Sequence, residues 1–214
     1  MRILFVGDIF GRPGREAVAH FVPQIRRERR VDFAIGNAEN AAGGRGLTGP
    51  TAQALFAAGL DVLTLGNHTW DRPETEPLLK DPRVLRPANY APGVPGRGFG
   101  RYEVSGETLD VVQLMGRHGM DDIDCPFRTA DALLKDGKSD ATLVDFHAEA
   151  SSEKQAMGWY LDGRVAAVLG THTHVQTADE RVLPGARPTS ATWEWPGRGT
   201  ALSGASGRRP CNGF

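Results

Sequence analysis

Two histidines separated by a single residue follow an apolar run in the last quarter of the chain. The run extends from Val165 to Leu169, Gly170 follows it, and the histidines are His172 and His174. Imidazole nitrogens are common ligands of transition metals, so this spacing is compatible with a metal site. Two polar residues in a turn after a strand would give the same local pattern. The pair by itself does not distinguish these alternatives.

Other side chains that could bind a metal also follow short apolar runs. They are Asp8, Glu39 and Asn40 in "GNAEN", Asn67 and His68 in "LGNH", and His147. A glycine precedes several of them (Gly7, Gly36, Gly66 and Gly170), which predicts sharp backbone turns beside a site. Each position also has an ordinary explanation as a helix cap or polar turn. Their repetition favours one shared site, because ligands of open α/β sheets bind beyond the carboxyl ends of the strands.

The donor atoms of these side chains are oxygen and nitrogen, with no thiolate among them. Such a set suits manganese, iron or zinc better than magnesium or calcium, which prefer shells of oxygen alone. Without His68, the set holds two carboxylates, two amides and three histidines. That is more than one ion takes, whereas two ions bridged by a carboxylate, about 3.5–4 Å apart, would use all of them. We therefore expect a dinuclear centre, and we assign no role to His20 or His118.

The elements that must position these residues are short buried strands alternating with helices, which predicts an α/β fold. The predicted strands are Ile3–Val6, Phe33–Ile35, Val62–Leu65, Val111–Leu114, Thr142–Phe146 and Val165–Leu169. Helices are predicted over Arg15–Arg29, in "TAQALFAA" and from "SSEKQAMGWYL". The segment Arg86–Gly100 is rich in proline, glycine and arginine and predicts a long connection.

Composition excludes several classes of protein. The chain has 214 residues, of which 40% are hydrophobic, and this length favours one domain, placed at residues 1–185. A net charge of −1 argues against the basic face of a nucleic-acid binder. No apolar run is long enough to cross a bilayer, and two cysteines, Cys125 and Cys211, do not form a disulfide framework. With no signal segment at the start, the expected location is the cytoplasm.

Taken in order, the motifs resemble those of the calcineurin-like metallophosphoesterases, specifically their bacterial YmdB-like branch. The resemblance rests on "GDIFGRPGR", "GNAENAAGGRG", "LGNHTWD", "VDFHAEASSEK" and "GTHTHVQTADERVLPG". It covers most of Met1–Gly185 and is weakest over Asn89–Lys138. Singly, "GNH" and "HTH" are weak signals, whereas the ordered set is highly specific.

The resemblance implies an α/β/β/α sandwich of two mixed sheets flanked by helices, with a dinuclear site of divalent or mixed-valence ions. Iron or manganese is expected, with zinc as an alternative. One ion would be held by Asp8, Glu39, Asn40 and His174. Glu39 would bridge to the second ion, which Asn67, His147 and His172 complete, and His68 would be the catalytic proton donor. Alternation along an extended backbone turns His172 and His174 the same way, so each can serve a different ion of an adjacent pair.

The implied activity is hydrolysis of cyclic nucleotides, either 2′,3′-cyclic or 3′,5′-cyclic, or of related phosphodiesters, with a hydroxide between the metals as nucleophile. RNA is a second candidate partner, a homo-oligomer is compatible with the sequence, and no membrane partner is expected. One alternative is hydrolysis of a phosphomonoester or an amide. Another is a metal-bearing regulatory or RNA-binding module with incidental catalysis. Arg45 and Arg117 are candidate phosphate contacts, with solvated surface charge as the other explanation.

Two positions depart from the wider superfamily while agreeing with the branch. Phe10 stands where the first motif usually has a histidine ligand, and Glu39 stands where most relatives bridge the metals with aspartate. The centre therefore loses one nitrogen ligand and gains a longer carboxylate arm.

The chain changes character after Gly185. The segment from 186 to 214 lacks apolar periodicity, and a disordered tail is the ordinary explanation. Regrouped one base earlier, the codons that Trp193, Glu194 and Trp195 require instead encode Val/Leu/Met, then Gly, then Met/Val. Extended back to Ala186, the same shift permits at each position the branch's usual continuation Gly-Thr-Ala-Tyr-Ile-Ser-Asp-Val-Gly-Met. We therefore infer a frameshift near Gly185, which resequencing or intact mass would test.

Overall fold

The computed structural model describes residues 1–185 and the backbone of 192–193 and 201–203. The predicted tail, and the frameshift inferred for it, otherwise lie outside the described residues. The helices are α1 Gly11–Arg29, α2 Gly49–Ala57, α3 Thr75–Leu78, α4 Pro126–Leu133 and α5 Ser151–Tyr160. The strands are β1 Arg2–Val6, β2 Phe33–Asn37, β3 Val62–Thr64, β4 Val84–Leu85, β5 Phe99–Val104, β6 Glu107–Met115, β7 Ala141–His147, β8 Ala167–Thr171, β9 Arg181–Val182, β10 Thr192–Trp193 and β11 Ala201–Ser203.

The described strands form two sheets. The first has the order β10-β1-β2-β3-β4, and every pairing in it is parallel. The second has the order β5-β6-β7-β8-β11-β9 and is mixed, with antiparallel pairing of β5 with β6 and of β8 with β11. The central strands of both sheets are parallel, so their carboxyl ends deliver side chains to the same edge.

Alternation along the strands builds a four-layer sandwich. In β1, Ile3 and Phe5 face the second sheet, whereas Leu4 faces α1 and α2. In β7, Leu143 lies between the sheets, whereas Val144 and Phe146 pack against α4 and α5. Successive side chains of a strand point to opposite faces, so each sheet buries both of its faces. The predicted α/β/β/α class is confirmed.

The boundaries of several elements differ from the prediction. Helix α1 begins at Gly11 rather than Arg15, and β8 ends at Thr171 rather than Leu169. The predicted Val111–Leu114 is the centre of a longer strand, β6, and β5 was missed because its exposed residues lack an apolar run. Strand pairing at the sheet extends elements beyond the apolar stretch that a sequence pattern detects. Among the described residues, no helix is long and apolar enough to cross a membrane.

The predicted connection after Arg86 is an ordered crossover from the first sheet to the second. Arg86 is only 8% exposed, and its guanidinium donates hydrogen bonds to the carbonyls of Pro87, Val94, Pro95 and Gly96 at 2.6–3.3 Å. Burial lowers the pKa of Arg86. One buried cation thus holds together the carbonyl groups of a proline-rich loop.

We expect Arg86→Ala to lower the free energy of unfolding by about 2–4 kcal/mol, because it leaves several buried carbonyls without donors. Chemical denaturation measures the change. Arg12→Ala is the control, since the Arg12–Glu16 pair is exposed and should add little. Equal stability of the two variants would contradict this role for Arg86.

Candidate metal centre

The structure brings the predicted site residues together at the carboxyl edge of both sheets. Asp8 follows β1, and His147 is the last residue of β7. Glu39 and Asn40 lie in the turns after β2, and a single turn of 3-10 helix, Asn67–Trp70, follows β3. These elements end close together because they are neighbouring parallel strands in two stacked sheets.

An inner group of donor atoms surrounds His147. Its Nε2 lies 3.1 Å from Glu39 Oε1, 3.0 Å from Asn67 Oδ1 and 3.1 Å from His172 Nδ1. One ring nitrogen carries at most one proton, so it cannot donate to all three. Four electron-pair donors this close together are stabilised by a cation among them. The donor set therefore fits a metal ion, and Glu39, His147 and His172 form a potential metal-binding group.

A second group lies beside the first, around Asp8 and Asn40. His174 Nε2 is 3.2 Å from Asn40 Nδ2 and 3.8 Å from Asp8 Oδ1. Asn40 Nδ2 donates to Glu39 Oε1 at 2.9 Å, so Glu39 contacts both groups. Glu39 thus lies between the two groups, and the division of the ligands between two ions stays a prediction.

The backbone around the paired histidines is bent, which corrects one prediction. Alternation along an extended backbone was expected to turn His172 and His174 the same way. Both residues instead lie beyond β8 with positive φ, 98° at His172 and 55° at His174. The amide N–H of His172 donates to both oxygens of Asp8, at 3.0 and 3.1 Å, which holds this bend. The left-handed turn separates the rings because it directs one to each group of donors.

Glu39 is almost fully buried, with 1% of its side chain exposed. Burial by itself raises the pKa of Glu39, but the charge of His147 and hydrogen bonds from His147 and from the His68 backbone lower it to about 2. The same interaction raises the pKa of His147 against the effect of burial. Glu39 therefore stays ionised, as a metal ligand must be.

Each of three histidines has an outward acceptor that the sequence prediction missed. His68 Nδ1 lies 2.8 Å from Asp71 Oδ2, and His172 Nε2 lies 3.0 Å from Glu149 Oε2. His147 Nδ1 lies 2.9 Å from the hydroxyl of Thr171. Acceptors on the outer nitrogen leave the inner nitrogen free to ligate or to transfer a proton. All three acceptors lie in the sequence motifs that carry the family resemblance. Their carboxylate or hydroxyl side chains were the signal that could have identified them as hydrogen-bond partners.

A groove of about 500 Å³ opens onto the site. Phe10, Gly44, Arg45 and Arg72 line it together with the site residues Glu39, Asn40, His68, His172 and His174. The Phe10 ring packs edge-on against His174, with ring centroids 5.5 Å apart. Arg45 is exposed beside Asp71, at 3.9 Å, and is available to a substrate.

Other basic and histidine side chains lie elsewhere. Arg117 lines a separate cavity with Arg128 and Cys125 and does not face the groove. His20 and His118 are exposed and take no part in the site. The loop after Asn40 is held in a turn by Arg72, which donates to the carbonyls of Ala42 and Arg45 at 2.8 and 2.7 Å.

The glycine at position 66 is required by crowding. None of the four glycines Gly7, Gly36, Gly66 and Gly170 has a positive φ, and Gly36 and Gly170 lie inside β2 and β8 rather than in the turns that follow them. A Cβ at Gly66 would lie 2.3 Å from His147 Nε2 and 2.5 Å from Glu39 Oε2. The side chains of the inner group therefore occupy the space that any other residue would need.

We expect Gly66→Ala to weaken metal binding at least about tenfold, because the methyl group displaces His147 and Glu39. Metal titration of purified protein measures the loss, and circular dichroism checks the fold. Gly49→Ala is the matched control, since a Cβ there meets nothing within 4 Å. Normal metal affinity in Gly66→Ala would show that the crowding has no consequence.

Comparison with known proteins places this architecture in a family. The family model for YmdB-like proteins matches residues 4–192. This chain belongs to the YmdB-like family. A relative from Bacillus subtilis, named 2′,3′-cyclic-nucleotide 2′-phosphodiesterase, is 48% identical over 187 residues, covering 86% of this chain and 71% of its own. A Mycoplasma genitalium relative named putative phosphatase/phosphodiesterase is 35% identical, covering 86% of this chain and 68% of its own.

Solved structures share this fold. A hypothetical protein from Thermus thermophilus is 50% identical, with a TM-score of 0.84 over 91% of this chain and 75% of its own. A putative 5′-nucleotidase from Staphylococcus aureus is 17% identical, with a TM-score of 0.60 over 92% of this chain and 50% of its own, and it shares the fold alone. The predicted calcineurin-like fold and the prediction of a phosphoesterase enzyme are confirmed.

Proposed function

We propose that this chain is a metal-dependent phosphodiesterase that hydrolyses cyclic nucleotides, with 2′,3′-cyclic nucleotides as the leading substrates. The observation that carries the proposal is the convergence of electron-pair donors on His147 Nε2, beside an open groove, in a phosphoesterase fold. The name of the Bacillus subtilis relative supports the choice of substrate.

Two ions fit the donors better than one. Asp8, Asn40 and His174 would hold the first, and Asn67, His147 and His172 the second, with Glu39 between them. Iron or manganese suits this mixture of oxygen and nitrogen ligands, and zinc is the alternative. When bound, such ions supply charge stabilisation at the phosphoryl oxygens and an activated water.

The chain's own residues would position the substrate and complete the proton transfer. Arg45 projects at the groove and can pair with a phosphate oxygen. Asp71 accepts from His68 Nδ1, which directs the other ring nitrogen of His68 toward the site. In the doubly protonated ring, His68 Nε2 can then give its proton to the departing ribose oxygen as the bond to phosphorus breaks, and Nδ1–H stays on Asp71. The Phe10 ring is a flat apolar wall on which a base can stack.

The test is turnover by metal-reconstituted protein on four substrates in parallel. These are 2′,3′-cyclic AMP, 3′,5′-cyclic AMP, a nucleoside monophosphate and a short RNA. We expect hydrolysis of the 2′,3′-cyclic nucleotide to exceed that of the monophosphate at least about tenfold, and chelation to abolish it. Elemental analysis of the reconstituted protein counts and identifies the ions.

Other outcomes select the alternatives. Preference for the monophosphate would replace the proposal with a phosphomonoesterase, a class included in the name of the Mycoplasma genitalium relative. Tight RNA binding without turnover, with metals present, would favour a regulatory or RNA-binding module. Light scattering during purification tests the proposed homo-oligomer, and limited proteolysis tests the proposed single domain over residues 1–185.

A further inference from the structure

A fully buried carboxylate lies behind the metal centre and contacts no predicted ligand directly. Asp145, on β7, is 0% exposed and lies between the two sheets. It accepts from Thr64 Oγ1 at 2.6 Å and from Asn37 Nδ2 at 3.2 Å, both on the first sheet. Thr171 Oγ1, on β8, lies 2.6 Å from its other oxygen. Such a buried acid requires an explanation, because isolated buried charge is costly.

The direction of these hydrogen bonds can be followed from a backbone group. The amide N–H of Glu39 donates to Asn37 Oδ1 at 3.3 Å, so the Asn37 amide nitrogen must face Asp145 and donate to it. Asp145 is therefore surrounded by groups that donate. The Thr171 hydroxyl has one proton, and when it gives this proton to Asp145 it can only accept from His147 Nδ1, at 2.9 Å.

We propose that Asp145, acting through Thr171, is a positioning residue that holds His147 with its proton on Nδ1 and so presents an unprotonated Nε2 to the metal centre. The chain of donors runs from His147 to Thr171 to Asp145 and ends on the carboxylate. If the Thr171 hydroxyl instead donated its proton to His147 Nδ1, the proton of the His147 ring would lie on Nε2 and would block metal binding there. The inference rests on the proposed metal centre, since it assigns a purpose to the orientation of one of its ligands.

The network contains its own control. Thr64 and Thr171 each donate to Asp145 at 2.6 Å and both are buried, but only Thr171 also contacts His147. Thr64→Val and Thr171→Val therefore each remove one 2.6 Å hydrogen bond from Asp145, and Thr171→Val also removes the longer contact of Asn37 Nδ2 with the Thr171 hydroxyl, at 3.5 Å. Only Thr171→Val interrupts the path to the ring. Thr171→Ser keeps the hydroxyl and should restore what valine removes.

Two measurements test the proposal without an activity assay. The first is the dissociation constant for zinc by competition with a chromophoric chelator. The second is the His147 Nδ1–H resonance in zinc-loaded protein with 15N-labelled histidine. We expect Thr171→Val to weaken zinc binding about 10–100-fold and to move the Nδ1–H resonance upfield, as the proton loses its acceptor. Thr171→Ser and Thr64→Val should keep both values near those of the unmutated protein.

Equal losses of zinc affinity in Thr64→Val and Thr171→Val would overturn the proposal, because the loss of one hydrogen bond to Asp145 would then explain both. An unchanged resonance and affinity in Thr171→Val would overturn it as well. Thr171→Ala replaces the valine variant if that variant does not fold. Failure of the unmutated protein to bind zinc, manganese or iron would instead reject the proposed centre, and this inference with it.

Discussion

Replacing Glu39 by alanine should remove both metal ions together and lower kcat/KM by at least about 10³-fold. Glu39 contacts both groups of donors, through His147 at 3.1 Å and Asn40 at 2.9 Å. The metals of such a centre contribute several kcal/mol to transition-state stabilisation, and each 1.4 kcal/mol is a factor of ten in rate. Metal content by mass spectrometry and steady-state kinetics measure the two effects.

Two further variants separate the loss of the bridge from the loss of a buried acid. Asp110→Asn removes a buried carboxylate that pairs with Arg101 far from the site, and it should keep both metals. Glu39→Asp shortens the arm to the length common in the wider superfamily, and it should retain metal more weakly than Glu39. A full complement of both ions in Glu39→Ala would refute the bridge.

Replacing His68 by alanine should lower kcat by about 10²–10⁴ while leaving metal content near normal, as expected for loss of a general acid. His68 is held by Asp71 at 2.8 Å on one nitrogen, and its ring is not among the donors around His147 Nε2. Kinetics on a cyclic nucleotide and metal analysis of the same preparation test both statements.

The leaving group provides a more specific test of this role. The nitrophenolate of a nitrophenyl phosphodiester departs as an anion and needs no proton from the protein. His68→Ala should therefore lose much less activity on this diester than on a cyclic nucleotide. His118→Ala is the control, because His118 is exposed and lies outside the groove. Loss of metal from His68→Ala would mean that His68 is a ligand. An equal loss on both substrates would argue against proton donation.

The sequence predicted the set of candidate ligands because each follows a recognisable apolar run. Asp8, Asn67 and His147 stand at or just after β1, β3 and β7, and parallel strands deliver such residues to one edge. The layer architecture could also be predicted from the sequence, since strands that are buried on both faces are apolar throughout. Strand ends were less accurate, as at β8, because pairing with neighbours decides where a strand stops.

The hydrogen bonds that orient the ligands could not be predicted from the sequence. Asn37 and Asp145 are 108 residues apart in the chain, and their contact exists only because the two sheets stack. Asp145 did carry a local signal, since it lies two residues before His147 on one strand and so points to the same face. That signal identifies the face but not the acceptor, the donor or the direction of the proton.

The amino-acid sequence by itself determined which chemical groups meet at the edge of the sheets, because residue type and strand periodicity are local properties. Only the tertiary structure decided how they are held. The left-handed bend at His172 and His174, the space that Gly66 leaves for His147, and the path from His147 through Thr171 to Asp145 all depend on elements distant in sequence. Their geometry is set by packing between layers, which no single stretch of the chain encodes.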